Sequence, residues 1–341
     1  MDLRDFDIAP PVDHSPRPLF SIVITNYNYG CFLRESIDSV LSQTYNNFEL
    51  IVVDDGSSDQ SIEIIHSYGD EIIPIFQGNC GMSAARNIGF RTSEGTLLSF
   101  LDADDFYQSD RLANVVETFA QHPDWIMLSH LWTTVDKTGK PTGKSTSNIL
   151  SQGDVRPLLL KWGKYASGIT SALAFRRAAL AQIMPVSGNL GLDSYANAAL
   201  PFYGQIGSIN QPFMFYRIHG SNQRAHSTDL DRLIQQREAI ATYINQAAKQ
   251  QGLQETFNIY NDVDYQVYKI VAQGQSSLTK VLRIIWLSLR ESIGIKRSFR
   301  DCLIRLLTRV ISVIPGQGIL IFRHGLRGYF RIHIFRTNLM N

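Results

Sequence analysis

The sequence predicts an α/β protein built on a mostly parallel central sheet with helices on both faces, followed by a helical C-terminal region. Two observations carry that reading. Between Phe20 and Leu101, short apolar, β-branched runs alternate with stretches whose apolar residues recur at helical spacing, the signature of βαβ units and a parallel sheet. Three of those runs also end in polar clusters: Asn26/Asn28, Asp54/Asp55 and Asp102/Asp104. Open parallel sheets bind ligands beyond the carboxyl ends of their strands, so three such clusters are expected to meet at one edge.

Taken in order, Phe20–Thr25 suits a buried strand and runs into the turn-like Asn26-Tyr27-Asn28-Tyr29-Gly30. Leu33, Ile37, Val40 and Leu41 then mark a helix face. A second strand, Phe48–Val53, ends in Asp54-Asp55-Gly56-Ser57-Ser58-Asp59, where Ser58 or Asp59 is the expected N-cap of the next helix. Ile72–Phe76 is the third strand, Ser83–Arg91 a helix and Thr96–Leu101 the fourth strand. Beyond Trp125 the alternation loosens. Trp125–Val135, Ser171–Phe175, Gln205–Ile209 and Phe213–Ile218 read as strands, with a loop or hairpin connection over Lys137–Lys144. From about Ser227 the pattern is mostly helical.

Hydrophobic residues make up 44% and charged residues 18% of 341, the balance of a globular chain. Cys31, Cys80 and Cys302 form no C-x-x-C pair, which argues against a disulfide framework or structural zinc and for a cytosolic setting. The polar, Pro-rich start from Met1 to Pro18 has no apolar core of a secretory signal. The net charge of +1 hides an asymmetry: Lys280–Asn341 holds twelve Lys/Arg and two acids, a net of +10, and the rest of the chain carries −9.

Asp102-Ala103-Asp104 sets two carboxylates two residues apart where a buried run ends. Mg2+ and Mn2+ prefer oxygen ligands and are commonly held by one or two carboxylates plus phosphate oxygens. The alternative, a solvated turn with a helix cap, fits the following Asp105 better. A carboxylate of Asp54-Asp55 either caps the turn or accepts from a uracil imide or a ribose hydroxyl. Gly81–Gly89 opens a helix with small residues and sets Arg86 on its first turns, an arrangement suited to a diphosphate. Two other patterns fail. Gly139–Ser145 imitates a P-loop but is one residue short between its glycines, and no G-x-G-x-x-G follows the first strand.

The segments Phe20–Asn28, Val52–Asp59, Gly81–Gly89 and Phe100–Asp105, in this order, resemble family 2 glycosyltransferases of the GT-A fold. The resemblance implies a nucleotide-diphospho-sugar transferase, a Mg2+ or Mn2+ cofactor and inversion at the anomeric carbon. It implies donor contacts from Thr25, Asn26, Asn28, Asp54, Asp55, Arg86 and Asp102, and a metal contact from Asp104. The family's general base usually comes from a Glu-Asp pair opening a later helix. Here Leu192 stands in the Glu position and Asp193 in the Asp position, so Asp193 is either that base or a helix N-cap. Phe213–Ser221 resembles the family's Tyr-Arg-x-His segment, which implies that Arg217 contacts donor phosphate and His219 either phosphate or the metal.

The expected layout is a flexible N-terminal segment 1–17, a GT-A domain 18–226 and a helical region 227–341 with a basic amphipathic segment from about 280. There Leu282, Ile285, Trp286, Leu289 and Ile293 form one stripe, and Leu303, Leu306, Leu307, Val310, Ile311 and Ile314 a second, among interleaved arginines. The longest uncharged run, Val310–Phe322, is too short to span a bilayer. Basic amphipathic helices lie in the headgroup region of anionic membranes, so the sequence suggests a peripheral enzyme on the cytoplasmic membrane face; a subdomain packed on the catalytic core is the other reading. The partners expected are a nucleotide-diphosphate sugar, a UDP-sugar first, and a glycan or lipid-linked acceptor of surface polysaccharide synthesis, with no nucleic acid. A catalytically silent nucleotide-sugar-binding or scaffold protein is the competing function, supported by Leu192.

Overall fold

A computed structural model of the chain describes residues 17–145, 149–186, 190–220 and 228–337. The segment 1–17 lies outside them except for Arg17, and so does the expected boundary at 226/227. The chain forms two compact units. The first comprises the described residues within Met1–Thr146, with Leu150–Val155 and Ser167–His219; the second takes Arg156–Ala166 and the described residues from Gly220 onward.

In the first unit, β1 (Phe20–Asn26), α1 (Gly30–Leu41), β2 (Phe48–Asp54), α2 (Ser61–His66), β3 (Ile73–Phe76), α3 (Met82–Thr92) and β4 (Leu97–Asp102) follow the expected alternation. Ile22, Val23 and Ile24 on β1 and Ile51, Val52 and Val53 on β2 are fully buried, which is why these runs are apolar without alternating. α1 covers one face with Leu33, Ile37 and Val40. Next come β5 (Phe106–Tyr107), α4 (Arg111–Gln121), β6 (Trp125–Val135) and β7 (Pro141–Ser145), the last pair closing the hairpin expected over Lys137–Lys144. After α5 (Arg156–Trp162), which belongs to the second unit, the chain adds β8 (Leu173–Arg176), α6 (Arg177–Leu180), α7 (Leu192–Ala199) and β9 (Gln205–Arg217).

The sheet order is β3-β2-β1-β4-β8-β6-β9-β5, with β7 paired to β6. Strands β3, β2, β1 and β4 are mutually parallel, as are β6 and β9, whereas β8 runs antiparallel to both its neighbours. The register matters for function. Asn26 pairs with Asp54 and Thr25 with Asp102, so three strands end level and deliver their polar residues together. β9 is one strand where two were expected. Pro212 resembles a break, but the register against β6 shifts between His130–Ile209 and Leu131–Pro212, and this irregularity absorbs a residue with no N–H to donate.

Beneath β4 and β6 lies a buried cation. Arg111 donates Nε–H to His130 Nε2 at 2.8 Å and Nη2–H to Ser99 Oγ and the Leu173 carbonyl, and it lies 4.0 Å from the Tyr107 ring centre. His130 must therefore carry its proton on Nδ1, which faces the Leu131 carbonyl at 2.8 Å. Burial, reinforced by the Arg111 charge, pushes the imidazole pKa well below its ordinary 6.5. In the unfolded chain the same group protonates near that ordinary value, so its contribution is intact above about pH 6.5 and is lost as the pH falls. Unfolding free energy should thus drop by up to about 1.4 kcal/mol per pH unit below pH 6.5. Urea titrations of the wild type and His130→Gln between neutral pH and pH 5 check this; equal slopes would remove His130 as the source.

The second unit is helical: α5, α8 (Leu230–Gln250), α9 (Val263–Gln273), α10 (Leu278–Gly294), α11 (Phe299–Ser312) and α12 (Gly318–Thr337), the last kinked at Gly325. Asp229, Asp262, Ser277 and Ser298 cap α8 to α11 by accepting backbone N–H groups. Its apolar core includes Trp162, Val263, Val267, Ile284, Leu287 and Val313. Alongside runs a buried ionic network. Lys164 bridges Asp262 (2.9 Å) and Asp264 (2.5 Å), Arg237 pairs with Asp262, and Arg309 grips Asp264 (2.8 Å) and both oxygens of Glu291 (3.0 and 3.1 Å). Burial alone would raise the Asp264 pKa, yet Arg309, Lys164 and Arg237 hold it well below the usual range. Three cations balance three carboxylates, the condition under which buried charge is tolerated. No described helix is long and apolar enough to cross a membrane.

Candidate functional site

At the carboxyl edge, the turn after β2 is stitched to the turn after β1. Asn26 Nδ2–H donates to Asp54 Oδ1 (2.9 Å) and Ser57 Oγ (3.1 Å), and Asp54 Oδ2 accepts the Ser57 N–H (2.8 Å). Asn28, at a positive φ of 58°, donates its N–H to Ser57 Oγ and accepts the Ser58 N–H; asparagine tolerates that conformation better than most residues. Asp55 accepts from Gln77 Nε2 (2.6 Å), Cys80 N (2.9 Å) and Gly81 N (2.9 Å), so both its oxygens fix the loop that enters α3. Thr25, Asn26, Asn28, Asp54 and Asp55 are thus brought together, with the two carboxylates engaged in shaping the edge. The helix start differs from expectation: α2 opens at Ser61 behind Gln60. Asp59 instead accepts the N–H groups of Gly30 and Ser61, locking the starts of two helices together.

The two arginines differ from expectation in the same way. Arg86 is only 2% exposed, and its Nη2–H donates to Asp102 Oδ1 at 2.7 Å. It therefore acts on anything bound at the edge through the carboxylate it holds. Arg217, also 2% exposed, donates Nε–H to the Asp104 carbonyl (2.9 Å), Nη1–H to the Lys137 carbonyl (3.1 Å) and Nη2–H to Glu35. Its guanidinium sits 4.8 Å from the Phe32 ring centre and 5.1 Å from that of Phe106. This is a clamp on the Asp104 backbone and not a group presented to phosphate. A lysine cannot reproduce the fork. Arg217→Lys should cost about 1–3 kcal/mol in denaturant unfolding; an unchanged unfolding midpoint would show that the fork is not needed to hold this edge.

Asp102 ends β4 with its side chain about one-third exposed, and Asp104 follows with its Oδ2 3.0 Å from His219 Nε2. The His219 ring is wedged against Phe32 and Tyr29, 4.8 and 5.5 Å between ring centres. Asp105, read from the sequence as a solvated turn residue, is buried instead. Its Oδ2 accepts from Ser171 Oγ (2.7 Å) and its Oδ1 from the Arg217 N–H (3.1 Å), and Ser171 Oγ in turn accepts the Asp102 N–H (3.2 Å). The three carboxylates at the end of β4, Asp102, Asp104 and Asp105, crowd one another. Burial and the Asp102 charge raise the Asp104 pKa against the pull of His219, and burial with both neighbours raises that of Asp105 further. Burial and the same acids push the hydroxyls of Tyr29 and Tyr216 up to about 12.

Asp193 also joins this field, because its charge is among those that raise the Tyr216 pKa. It sits in the first turn of α7 behind Gly191, the N-cap, so the capping reading of Asp193 is set aside. Leu192 is 1% exposed and belongs to the core. Sequence reasoning missed Asp105, Ser171, Glu35 and Phe32. The run of three acids in Asp102–Asp105 was a signal for the first; the others carry none. Among the described residues, no group of three or more His, Cys, Asp or Glu side chains forms a complete cation site. Asp104 and His219 are the side chains that could hold a cation there, with a bound diphosphate and water completing the set.

Residues 21–184 match the model of glycosyl transferase family 2. An uncharacterized glycosyltransferase of Nostoc sp. is 33% identical over 251 residues, covering 71% of this chain and 74% of the relative. One from Haemophilus influenzae is 43% identical over 109 residues, 31% of this chain and 44% of the relative. Among solved structures, S. aureus TarS 1–349 in complex with UDP superposes with a TM-score of 0.51 at 16% identity, covering 89% of this chain and 83% of TarS. Its complex with UDP-GlcNAc gives 0.53 at 16% identity, over 86% and 90%. At such identities the likeness to TarS is one of fold.

Proposed function

The chain belongs to glycosyl transferase family 2 and is a glycosyltransferase with the GT-A fold, and from that premise we propose that it moves a sugar, with inversion, from a nucleoside-diphosphate sugar to a hydroxyl of a glycan or lipid-linked acceptor. The observation that carries this reading is the Asp102–Asp104 pair at the end of β4, with Asp104 against His219 and Asp102 against Arg86.

The residues fit Mg2+ or Mn2+. Asp104 is a desolvated carboxylate crowded by Asp102, so a cation beside it relieves repulsion, and carboxylate oxygen with imidazole nitrogen is a donor set that Mn2+ accepts. When bound, the ion supplies charge neutralisation to the departing diphosphate. Arg86 orients Asp102, whose exposed part is available to a ribose hydroxyl. Asn26, Asp54 and Asp55 hold the turn on which the nucleotide rests. Arg217 fixes the Asp104 backbone, and Asp193 takes the proton of the acceptor hydroxyl on the face opposite the leaving group.

A thermal-shift panel of nucleoside-diphosphate sugars, UDP-sugars first, with Mn2+ and with chelator, tests the reading. Stabilisation by one donor only in metal is expected; stabilisation by none, or equally without metal, overturns it.

A further inference from the structure

Helices α10 and α11 carry apolar residues on their exposed sides as well as in the core. α10 buries Ile284 and Leu287 together with Ser288, Glu291 and Ser292. Its opposite face exposes Leu278, Leu282, Trp286, Leu289 and Ile293, the last at 75%. At 3.6 residues per turn these five lie roughly 140–220° around the axis from Glu291. α11 also buries polar residues, Arg309 and Ser312, while Phe299 (84% exposed), Leu303 and Leu307, with Ile314 just beyond its end, face outward. The Arg309–Glu291 ion pair ties the buried faces of the two helices together and leaves most of the first stripe and Leu303 and Leu307 of the second exposed, with Ile285, Leu306, Val310 and Ile311 half-buried. Arg309, one of the arginines interleaved with the stripes, is thus buried.

The charge beside the stripes is of one sign. Both acids of these helices are engaged internally, Glu291 with Arg309 and Asp301 with Arg297 and Arg305. Arg283, Arg290, Lys296 and Arg300 are exposed, and none has an ion pair among the described residues. Arg290 lies over the Trp286 ring, 4.5 Å from its centre, which places a cation and an amphipathic ring side by side at the edge of the stripe. Exposed apolar surface on this scale marks an interaction site. A second copy is a poor occupant, since a two-fold contact through this face would bring its unpaired cations together. An anionic bilayer answers both features, with phosphate headgroups for the cations and acyl chains for the stripes.

We propose that the outer face of α10 and α11 is a docking surface for anionic lipid, on which the helices lie in the headgroup plane. The surface is independent of the donor site, and its test needs no sugar donor.

Purified full-length protein should float with vesicles of equimolar phosphatidylglycerol and phosphatidylcholine and stay behind with phosphatidylcholine alone. Arg283→Gln/Arg290→Gln/Arg300→Gln should weaken partitioning by about fivefold per charge removed. Trp286→Ser/Phe299→Ser should weaken it at unchanged charge. All five positions are exposed, and an unchanged melting temperature in each variant verifies the fold. Absence of flotation by the wild type overturns the proposal, as does equal flotation with neutral vesicles or by both variants. So does concentration-dependent self-association in equilibrium sedimentation that Trp286→Ser/Phe299→Ser abolishes, which would assign the face to a second copy.

Discussion

Asp104→Asn is expected to erase the metal-dependent part of donor affinity while leaving the protein at least as stable as the wild type. The two effects share a cause. The Asp104 carboxyl is buried and faces the Asp102 charge, so its folded-state pKa lies above the ordinary 3.8. For a carboxyl shifted upward, the favourable contribution is present at pH below the ordinary value and is lost as the pH rises through the folded value. At neutral pH the ionised group therefore weakens the fold. An amide carries no such charge, and its oxygen can still accept from His219. What it lacks is the anionic oxygen that a hard cation requires. Losing a direct ligand should lower metal affinity by more than the roughly 10–100-fold typical of outer-shell changes. Calorimetric titration of a UDP-sugar in Mn2+ should give the variant the affinity that the wild type shows in chelator. Wild-type affinity in Mn2+ would take Asp104 out of the metal site.

Asp193→Asn should have the opposite profile, with donor binding retained and transfer reduced by about two to four orders of magnitude, the range for loss of a general base. Because Gly191 and not Asp193 caps α7, the substitution does not remove a cap and the helix should persist. Asparagine matches aspartate in shape but cannot take the acceptor proton at neutral pH. The measurement is transfer rate at saturating donor, paired with donor affinity of the same preparation. Transfer within a few-fold of wild type would move the base to another residue. Leu192 could not serve even as glutamate without burying a second charge, since its side chain lies in the core.

Much of the transferase unit could be read from the sequence because its strands are buried on both faces and so appear as unbroken apolar runs. Phe20, Phe48 and Trp125 begin strands as expected, and the polar clusters closing β1, β2 and β4 gave away the edge. Partnership across long sequence separations was not legible. Nothing in the sequence near Arg217 indicates that its donors are taken by Glu35, Asp104 and Lys137, or that Arg86 points inward to Asp102. A local pattern identifies an arginine but not which way it faces. The same holds for the C-terminal stripes: helical periodicity located them, but not the buried ionic network, drawn from five separate segments, to which their helices contribute. The single strand β9 reads as two for a related reason, because a bulge in the β6–β9 pairing carries Pro212 within it.

That network spans a discontinuity in the chain. Trp162 and Lys164 belong to the helical unit, yet the chain returns to the sheet at Ser167 before reaching the rest of that unit. A cut after β9 would therefore strand the indole that packs in the helical core and the ammonium that bridges Asp262 and Asp264. The helical part is consequently no interchangeable cassette. Recombination that exchanged the C-terminal helices at one crossover would pair foreign carboxylates with a lysine inherited from elsewhere, so the segment 156–166 and those helices can only be exchanged together.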